Sequence, residues 1–158
     1  MTISINENFP NQELRILIDG EVQNVNSADY FSGKKVVLVG VPGAFTPTCH
    51  LSHLPGYIDN LQKFKDNGCH VIFIAVNDPF VMKSWSEASN ANGIDMLADG
   101  NCDLTNELGL TMDGSAFGLG NRCKRFAMII ENGIVKSIGI EEPGGMAGAS
   151  AASQLEKI

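Results

Sequence analysis

The sequence predicts an α/β fold with a mixed central β-sheet and helices on both faces, and three observations carry that prediction. Two runs rich in Val, Leu and Ile, Lys35 to Val41 and His70 to Val76, have the continuous apolar character of buried strands. Each is followed by apolar residues at helical spacing, so the middle of the chain reads strand–helix–strand–helix, the unit of a parallel sheet with right-handed crossovers. Towards either end, extended segments meet at Asp19-Gly20 and Asn132-Gly133, the turn dipeptides of antiparallel hairpins.

In chain order, Glu13 to Ile18 and Glu21 to Val25 form the first hairpin, and Lys35 to Val41 is the first buried strand. Leu51, Leu54, Ile58 and Leu61 then predict one face of a helix stopped by Asn67-Gly68. After His70 to Val76, Asn77-Asp78-Pro79 starts a second helix with Val81, Trp85 and Ala88 on one face, and Trp85 reads as core. Asp95 to Ala98 suggests a short strand and Leu104 to Leu108 a short helix. Arg125 to Ile130 and Ile134 to Ile140 make the closing hairpin. Glu142 to Ala149, rich in Gly and Ala, reads as a loop before a last helix carrying Ala151, Leu155 and Ile158. This order is that of a thioredoxin-like sandwich. The 158 residues fit a single domain spanning 1–158.

Composition narrows the function classes. A net charge of −7 argues against nucleic acid and against an anionic membrane surface as partners. No apolar stretch approaches the ~20 residues of a membrane span, and Met1 to Pro10 lacks the basic start and apolar run of a signal peptide. The four cysteines, Cys49, Cys69, Cys102 and Cys123, are widely spaced without a Cys-x-x-Cys pair. They are expected as reduced thiols in the cytoplasm. No metal is expected, since His50 and His70 have no companion ligands at suitable spacing. The glycines after Pro143 (Gly144, Gly145, Gly148) lack the lysine and context of a phosphate loop.

The chemistry concentrates between the first buried strand and its helix, where parallel sheets place their sites. Thr46 suits an N-cap and Pro47 the first helical position, which puts Cys49 in the first turn. There free backbone N–H groups and the helix dipole favour an anion. Helix N-termini lower cysteine pKa values from about 8.5 into the ~3.5–7.5 range, and the thiolate is the attacking form. A thiolate that splits a peroxide O–O bond needs a hydroxyl, N–H groups and a fixed cation beside it. Thr46 supplies the hydroxyl, and Arg122 and Arg125 are candidates for the cation. Against this stands the commoner role of a lone cysteine as a small buried hydrophobe.

Pro42-x-x-x-Thr46-x-x-Cys49 resembles the active-site motif of the peroxiredoxins. The string Val41-Pro-Gly-Ala-Phe-Thr-Pro-Thr-Cys49, followed by His53-Leu-Pro-Gly-Tyr57, is similar to the atypical type II, or peroxiredoxin-5-like, group. Ala75-Val-Asn-Asp-Pro-Phe-Val-Met-Lys83, Leu97-Ala-Asp99 and Gly120-Asn-Arg-Cys-Lys-Arg-Phe-Ala127 match further blocks in the same order. The resemblance implies a thiol-dependent peroxidase for hydrogen peroxide and small organic hydroperoxides, serving antioxidant defence and redox homeostasis. Cys49 matches the peroxidatic cysteine, which becomes a sulfenic acid. Thr46 matches the threonine that hydrogen-bonds sulfur and peroxide, Pro42 the proline that shields the pocket, and Arg125 the arginine that stabilises thiolate and peroxide oxygens; Arg122 lies in a matching block without an assigned role. The resemblance also implies no metal or organic cofactor, and a homodimer.

One departure bears on the mechanism. The positions that hold a resolving cysteine in relatives fall near Ala149 or Ser150 and near Phe73, and none is a cysteine here. Cys69, Cys102 (in a polar loop, expected exposed) and Cys123 (expected near the site) read as bystanders. This favours a one-cysteine cycle recycled by an outside thiol: glutathione, glutaredoxin or thioredoxin. Pro55 interrupts the helix after Cys49, as a kink or as a means of easing its first turn open. His53 is read as satisfying a local hydrogen bond rather than acting as a base. Two alternatives stay open: a peroxide-sensing redox regulator, and a chaperone-like protein in which Cys49 is incidental.

Overall fold

The computed structural model describes residues 1–142, 145 and 147–158. Strands β1 (Glu13–Ile18) and β2 (Glu21–Asn26) pair antiparallel, and Asp19 and Gly20 between them both take positive φ, the two-residue hairpin turn the sequence predicts. Helix α1 (Ser27–Phe31) leads to β3 (Lys35–Gly40). A helical stretch over 47–59 follows, comprising a π-helical turn, Cys49–His53, and then α2 (Leu54–Asp59). Next come α3 (Leu61–Asp66), β4 (Cys69–Ala75), α4 (Pro79–Ala88), β5 (Asp95–Ala98) and α5 (Asp103–Leu108). The chain closes with β6 (Thr111–Asp113), a 3-10 turn at Ser115–Phe117, β7 (Asn121–Cys123), β8 (Phe126–Glu131), β9 (Ile134–Ile140) and α6 (Ala151–Leu155).

Seven strands form one sheet in the order β2-β1-β5-β4-β3-β8-β9. The central β3, β4 and β5 are parallel, and every other pairing is antiparallel. This is the expected thioredoxin-like mixed sheet. Alternate residues of each central strand feed opposite cores. Val37, Val39, Val71 and Phe73 pack with Leu54, Tyr57, Phe64, Met82, Trp85 and Ala151 from α2, α3, α4 and α6. Val36, Leu38, Ile72 and Ile74 pack on the other face with Phe31 of α1 and Leu104 and Leu108 of α5.

Three expectations need correction. Leu51 does not share the inner face with Leu54; it is 72% exposed while Leu54 is fully buried. The cause is the π turn, in which Leu54 N–H bonds Cys49 O and one extra residue resets the helical phase. On α4 the buried residues are Met82 and Trp85, and Ala88 is exposed; Asp78 caps this helix by accepting from Val81 N–H at 2.8 Å. Cys102 is 7% exposed rather than at the surface. Pro143 and Gly144, part of the loop read between Glu142 and Ala149, lie outside the described residues.

Candidate active site

The loop from Pro42 to Thr46 follows the end of β3, where Gly40 pairs with Phe126 of β8. A β-carbon on Gly40 would sit 2.1 Å from the Phe126 ring, so only glycine fits. Two side chains from distant elements then shape the loop. Asn77 Oδ1 accepts from Ala44 N–H at 2.9 Å, and Arg122 Nη1 donates to Pro42 O at 3.2 Å. A β-carbon on Gly43 would come within 2.5 Å of that same nitrogen. Between these anchors Phe45 is held at φ 65°, a left-handed conformation that costs an L-residue about 1–2 kcal/mol. Arg122 thus braces the loop, whereas the sequence left it as an alternative cation.

Thr46 stands at the expected position before the helix, but its hydroxyl does not cap. It donates to Gly43 O at 2.7 Å, which leaves its lone pairs able to accept from a peroxide O–H. The first helical bond runs from His50 N–H to Thr46 O at 2.9 Å, so the N–H groups of Thr48 and Cys49 have no acceptor within the helix. Pro55 lacks an N–H for the carbonyl four residues back, and the π turn immediately before it absorbs that interruption. His50 packs beside the turn, its Nδ1 accepting from Trp85 Nε1–H at 3.1 Å.

Arg125, just before β8, reaches this turn from below. Its Nη2 donates to Cys49 Sγ at 3.0 Å and its Nη1 donates to His53 Nδ1 at 2.6 Å. Both Cys49 and Arg125 are buried. A buried guanidinium requires a compensating anion or acceptors. Among the described residues the one ion pair joins Arg15 to Glu13, so no carboxylate accompanies Arg125. The buried groups that the guanidinium faces are the sulfur of Cys49 and the ring of His53. His53 serves as the second acceptor because burial, offset in part by the bond to Ala149 and aided by the Arg125 charge, lowers its pKa to about 4. The imidazole is therefore neutral, with its proton on Nε2, which donates to Ala149 O at 2.8 Å.

A cavity of about 530 Å3 opens beside this cluster, lined by Pro42, Thr46, Arg125, Met112, Phe117 and Ile140 among others. Pro42, Thr46 and Arg125 are thus brought to one cavity next to Cys49. Among the described residues no group of three or more His, Cys, Asp or Glu is placed to hold a metal.

The other thiols are differently placed. Burial pushes Cys69 up to about 11, and complete burial together with Asp99 raises Cys123. Cys102 is raised by burial and by Asp99. Cys123 packs in the opposite core from Cys49, although it lies close enough for Cys49 to figure among the charges that raise its pKa. Cys69 shares the Cys49 core but pairs with Lys35, at the far end of β3 from Gly40. Five residues of strand separate those ends by roughly 16 Å, so Cys69 enters the sheet at the end opposite the loop that leads to Cys49. Asp99, in a block matched by sequence, caps α5 by accepting from Leu104 N–H, Thr105 N–H and Thr105 Oγ1–H. The roles that Asn77, Tyr57, Glu141 and Ala149 take beside the site carry no sequence signal of their own: Asn77 and Tyr57 lie in matched blocks without an assigned role, and a backbone carbonyl such as that of Ala149 looks like any other.

The Redoxin family profile matches residues 5–155. Peroxiredoxin-2C of Oryza sativa subsp. japonica is 42% identical over 159 residues, covering 98% of this chain and 97% of that protein. The chloroplastic Peroxiredoxin-2E-2 of the same plant is 39% identical over 164 residues, covering 99% and 73%. The crystal structure of reduced Prx3 from Vibrio vulnificus in complex with H2O2 superposes with a TM-score of 0.95 at 43% identity, covering 99% of each chain. With a buried sulfur facing an otherwise uncompensated guanidinium at the mouth of a cavity, and with this likeness along nearly its whole length, the chain belongs to the redoxin family as a type II peroxiredoxin, a thiol peroxidase.

Proposed function

We propose that Cys49 is the peroxidatic nucleophile and that the enzyme runs a one-cysteine cycle completed by an external thiol. The observation that carries this reading is Arg125 Nη2 at 3.0 Å from Cys49 Sγ in a buried setting without a carboxylate among the described residues. A fixed cation stabilises an anionic sulfur. The thiolate attacks one peroxide oxygen: the S–O bond forms, the O–O bond breaks, and two electrons pass from sulfur to oxygen. The product is Cys49 sulfenic acid, and the departing alkoxide or hydroxide takes a proton from solvent to leave as alcohol or water. Thr46 accepts from the peroxide O–H, the Thr48 and Cys49 N–H groups and Arg125 meet developing negative charge, and Pro42 closes one wall against water. A first reductant thiol then condenses with the sulfenic acid, releasing water, and a second reduces the mixed disulfide and restores Cys49. Glutathione, glutaredoxin or thioredoxin would supply those thiols. The opposed core of Cys123, the place of Cys69 at the far end of the β3–β4 pairing and the raised pKa values of all three other thiols support an outside donor.

Four free thiols suit a reducing compartment such as the cytoplasm. A homodimer is supported by the exposed apolar side chains of Phe45, Phe117 and Ile140 on and around the cavity mouth.

One equivalent of hydrogen peroxide added to reduced protein, followed by intact mass and peptide mapping, tests the cycle. A gain of about 16 Da on the Cys49 peptide is expected. A loss of about 2 Da, with Cys49 joined to Cys69, Cys102 or Cys123, would replace the external donor with an internal one. Persistent peroxide with unmodified Cys49 would sink the assignment of the nucleophile. Sustained turnover with glutathione and glutaredoxin separates a working peroxidase from a sensor that reacts once.

A further inference from the structure

We propose that Glu141 is a positioning residue for Cys49, and that it acts through the C-terminal segment around Ala149. The proposal rests on the reading of Arg125 as the cation that activates the sulfur. Arg125 is aimed by His53, whose Nδ1 accepts from Nη1 at 2.6 Å. That nitrogen accepts only while the imidazole proton sits on Nε2. Nε2 faces the carbonyl of Ala149 at 2.8 Å, and a carbonyl can only accept, so Ala149 O selects the tautomer. Tyr57 O–H donates to the same oxygen at 2.7 Å.

What holds that carbonyl in place is Glu141. Its Oε1 accepts from Ala149 N–H at 2.9 Å, while its own backbone N–H donates to Arg125 O at 2.8 Å. Arg125, His53, Ala149 and Glu141 therefore close a ring, and Glu141 joins the segment that orients His53 to the backbone of Arg125 just ahead of β8. The packing leaves little slack. A β-carbon on Gly148 would lie 2.7 Å from Glu141 Oε1, and one on Gly139 would lie 2.7 Å from Gly148 O. Gln154, fully buried on α6, anchors the segment from the other side by donating to Gly148 O at 2.8 Å. Were Ala149 to loosen, the His53 proton could move to Nδ1. An N–H would then face the guanidinium N–H, donor against donor, and Arg125 would lose its aim at Cys49.

The test compares Glu141→Ala, Glu141→Gln, His53→Phe, the double variant Glu141→Ala/His53→Phe, and Arg125→Lys. Two quantities are read: the single-turnover rate of Cys49 oxidation by hydrogen peroxide, and the His53 tautomer from imidazole 15N shifts. Glu141→Ala is expected to slow oxidation about tenfold, the effect of one well-placed hydrogen bond, and to mix the tautomers. Glu141→Gln keeps an oxygen acceptor and is expected to recover most of the rate and the Nε2–H tautomer. In the His53→Phe background, Glu141→Ala should add less than about twofold, because the route is already cut. Independent, multiplying effects, or a slow Glu141→Ala with an unchanged tautomer, would overturn the proposal. Gln154→Leu probes the ring from the helix side if Glu141→Ala does not fold, with tautomer mixing expected and an unchanged tautomer counting against it. If Arg125→Lys leaves the oxidation rate unchanged, the underlying reading of Arg125 fails instead.

Discussion

Arg125 spends its two terminal nitrogens on two different acceptors, Cys49 Sγ and His53 Nδ1. Lysine carries the same charge on a single nitrogen and cannot bridge both with the geometry of a planar fork. Arg125→Lys is therefore expected to lower the second-order rate with hydrogen peroxide roughly ten- to a hundredfold, the range of a lost charge-assisted hydrogen bond, as measured by competition kinetics. His53 gives a pH signature. Its pKa is lowered from 6.5 to about 4, chiefly by burial. As pH falls, the unfolded chain takes up this proton first. The His53 contribution is complete above about pH 6.5 and is lost progressively towards pH 4, by on the order of 3 kcal/mol. Urea unfolding at pH 7 and pH 4.5 should show the decline, and His53→Gln should flatten it. Cys49, Thr46, Pro42 and Arg125 could be named as candidates from the sequence because a dense motif and one distant arginine carry them, and the fold brings Arg125 to Cys49 and Pro42, Thr46 and Arg125 to one cavity. The way Arg125 is aimed was not, because it passes through the carbonyl of Ala149, and a carbonyl looks the same at every position.

At the scale of elements, the helix after β3 is where spacing misled. A repeat of 3.6 residues places Leu51 and Leu54 together, but the π turn at Cys49–His53 inserts a residue and turns Leu51 to solvent. The same truncation at the two sites should thus have unequal effects. Leu54→Ala is expected to cost about 2–5 kcal/mol. Leu51→Ala should cost under about 0.5 kcal/mol, with denaturant unfolding of dilute protein as the measurement. Equal losses would mean that the helix is α-helical throughout. Pro55 was the visible trace of this irregularity, although proline alone does not say whether a helix kinks or widens. α1 and the β6–β7 pair escaped notice because three to five residues are too few to show a period.

Across the whole molecule, the sheet order followed from features the sequence displays openly. Two apolar runs became the parallel centre, and two turn dipeptides became the flanking hairpins. What the chain does not display is how its surface is used. Phe117 is 82% exposed on a 3-10 turn at the cavity mouth, beside Ile140. If two copies pair around their cavities, Phe117→Glu places a charge in an apolar contact and should shift the dimer towards monomer. Sedimentation velocity would register the change; an unaltered dimer would place the contact elsewhere on the surface.

The complete burial of Cys49 has a consequence for timing. A molecule of two oxygens fits the cavity and needs only a slight shift of its lining to meet Cys49, whereas a tripeptide or protein thiol needs the whole turn displaced before it can touch a sulfur with no exposed surface. On the proposed one-cysteine cycle, repair of the oxidised enzyme must wait until the turn around Cys49 moves aside, and that wait does not depend on how much peroxide is present. Attack by a second peroxide on the waiting sulfenic acid speeds up in proportion to peroxide, and it ends in sulfinic acid. On that cycle the stability of one short helical turn sets the oxidant dose at which the enzyme disables itself, much as the gauge of a wire sets the current at which a fuse blows.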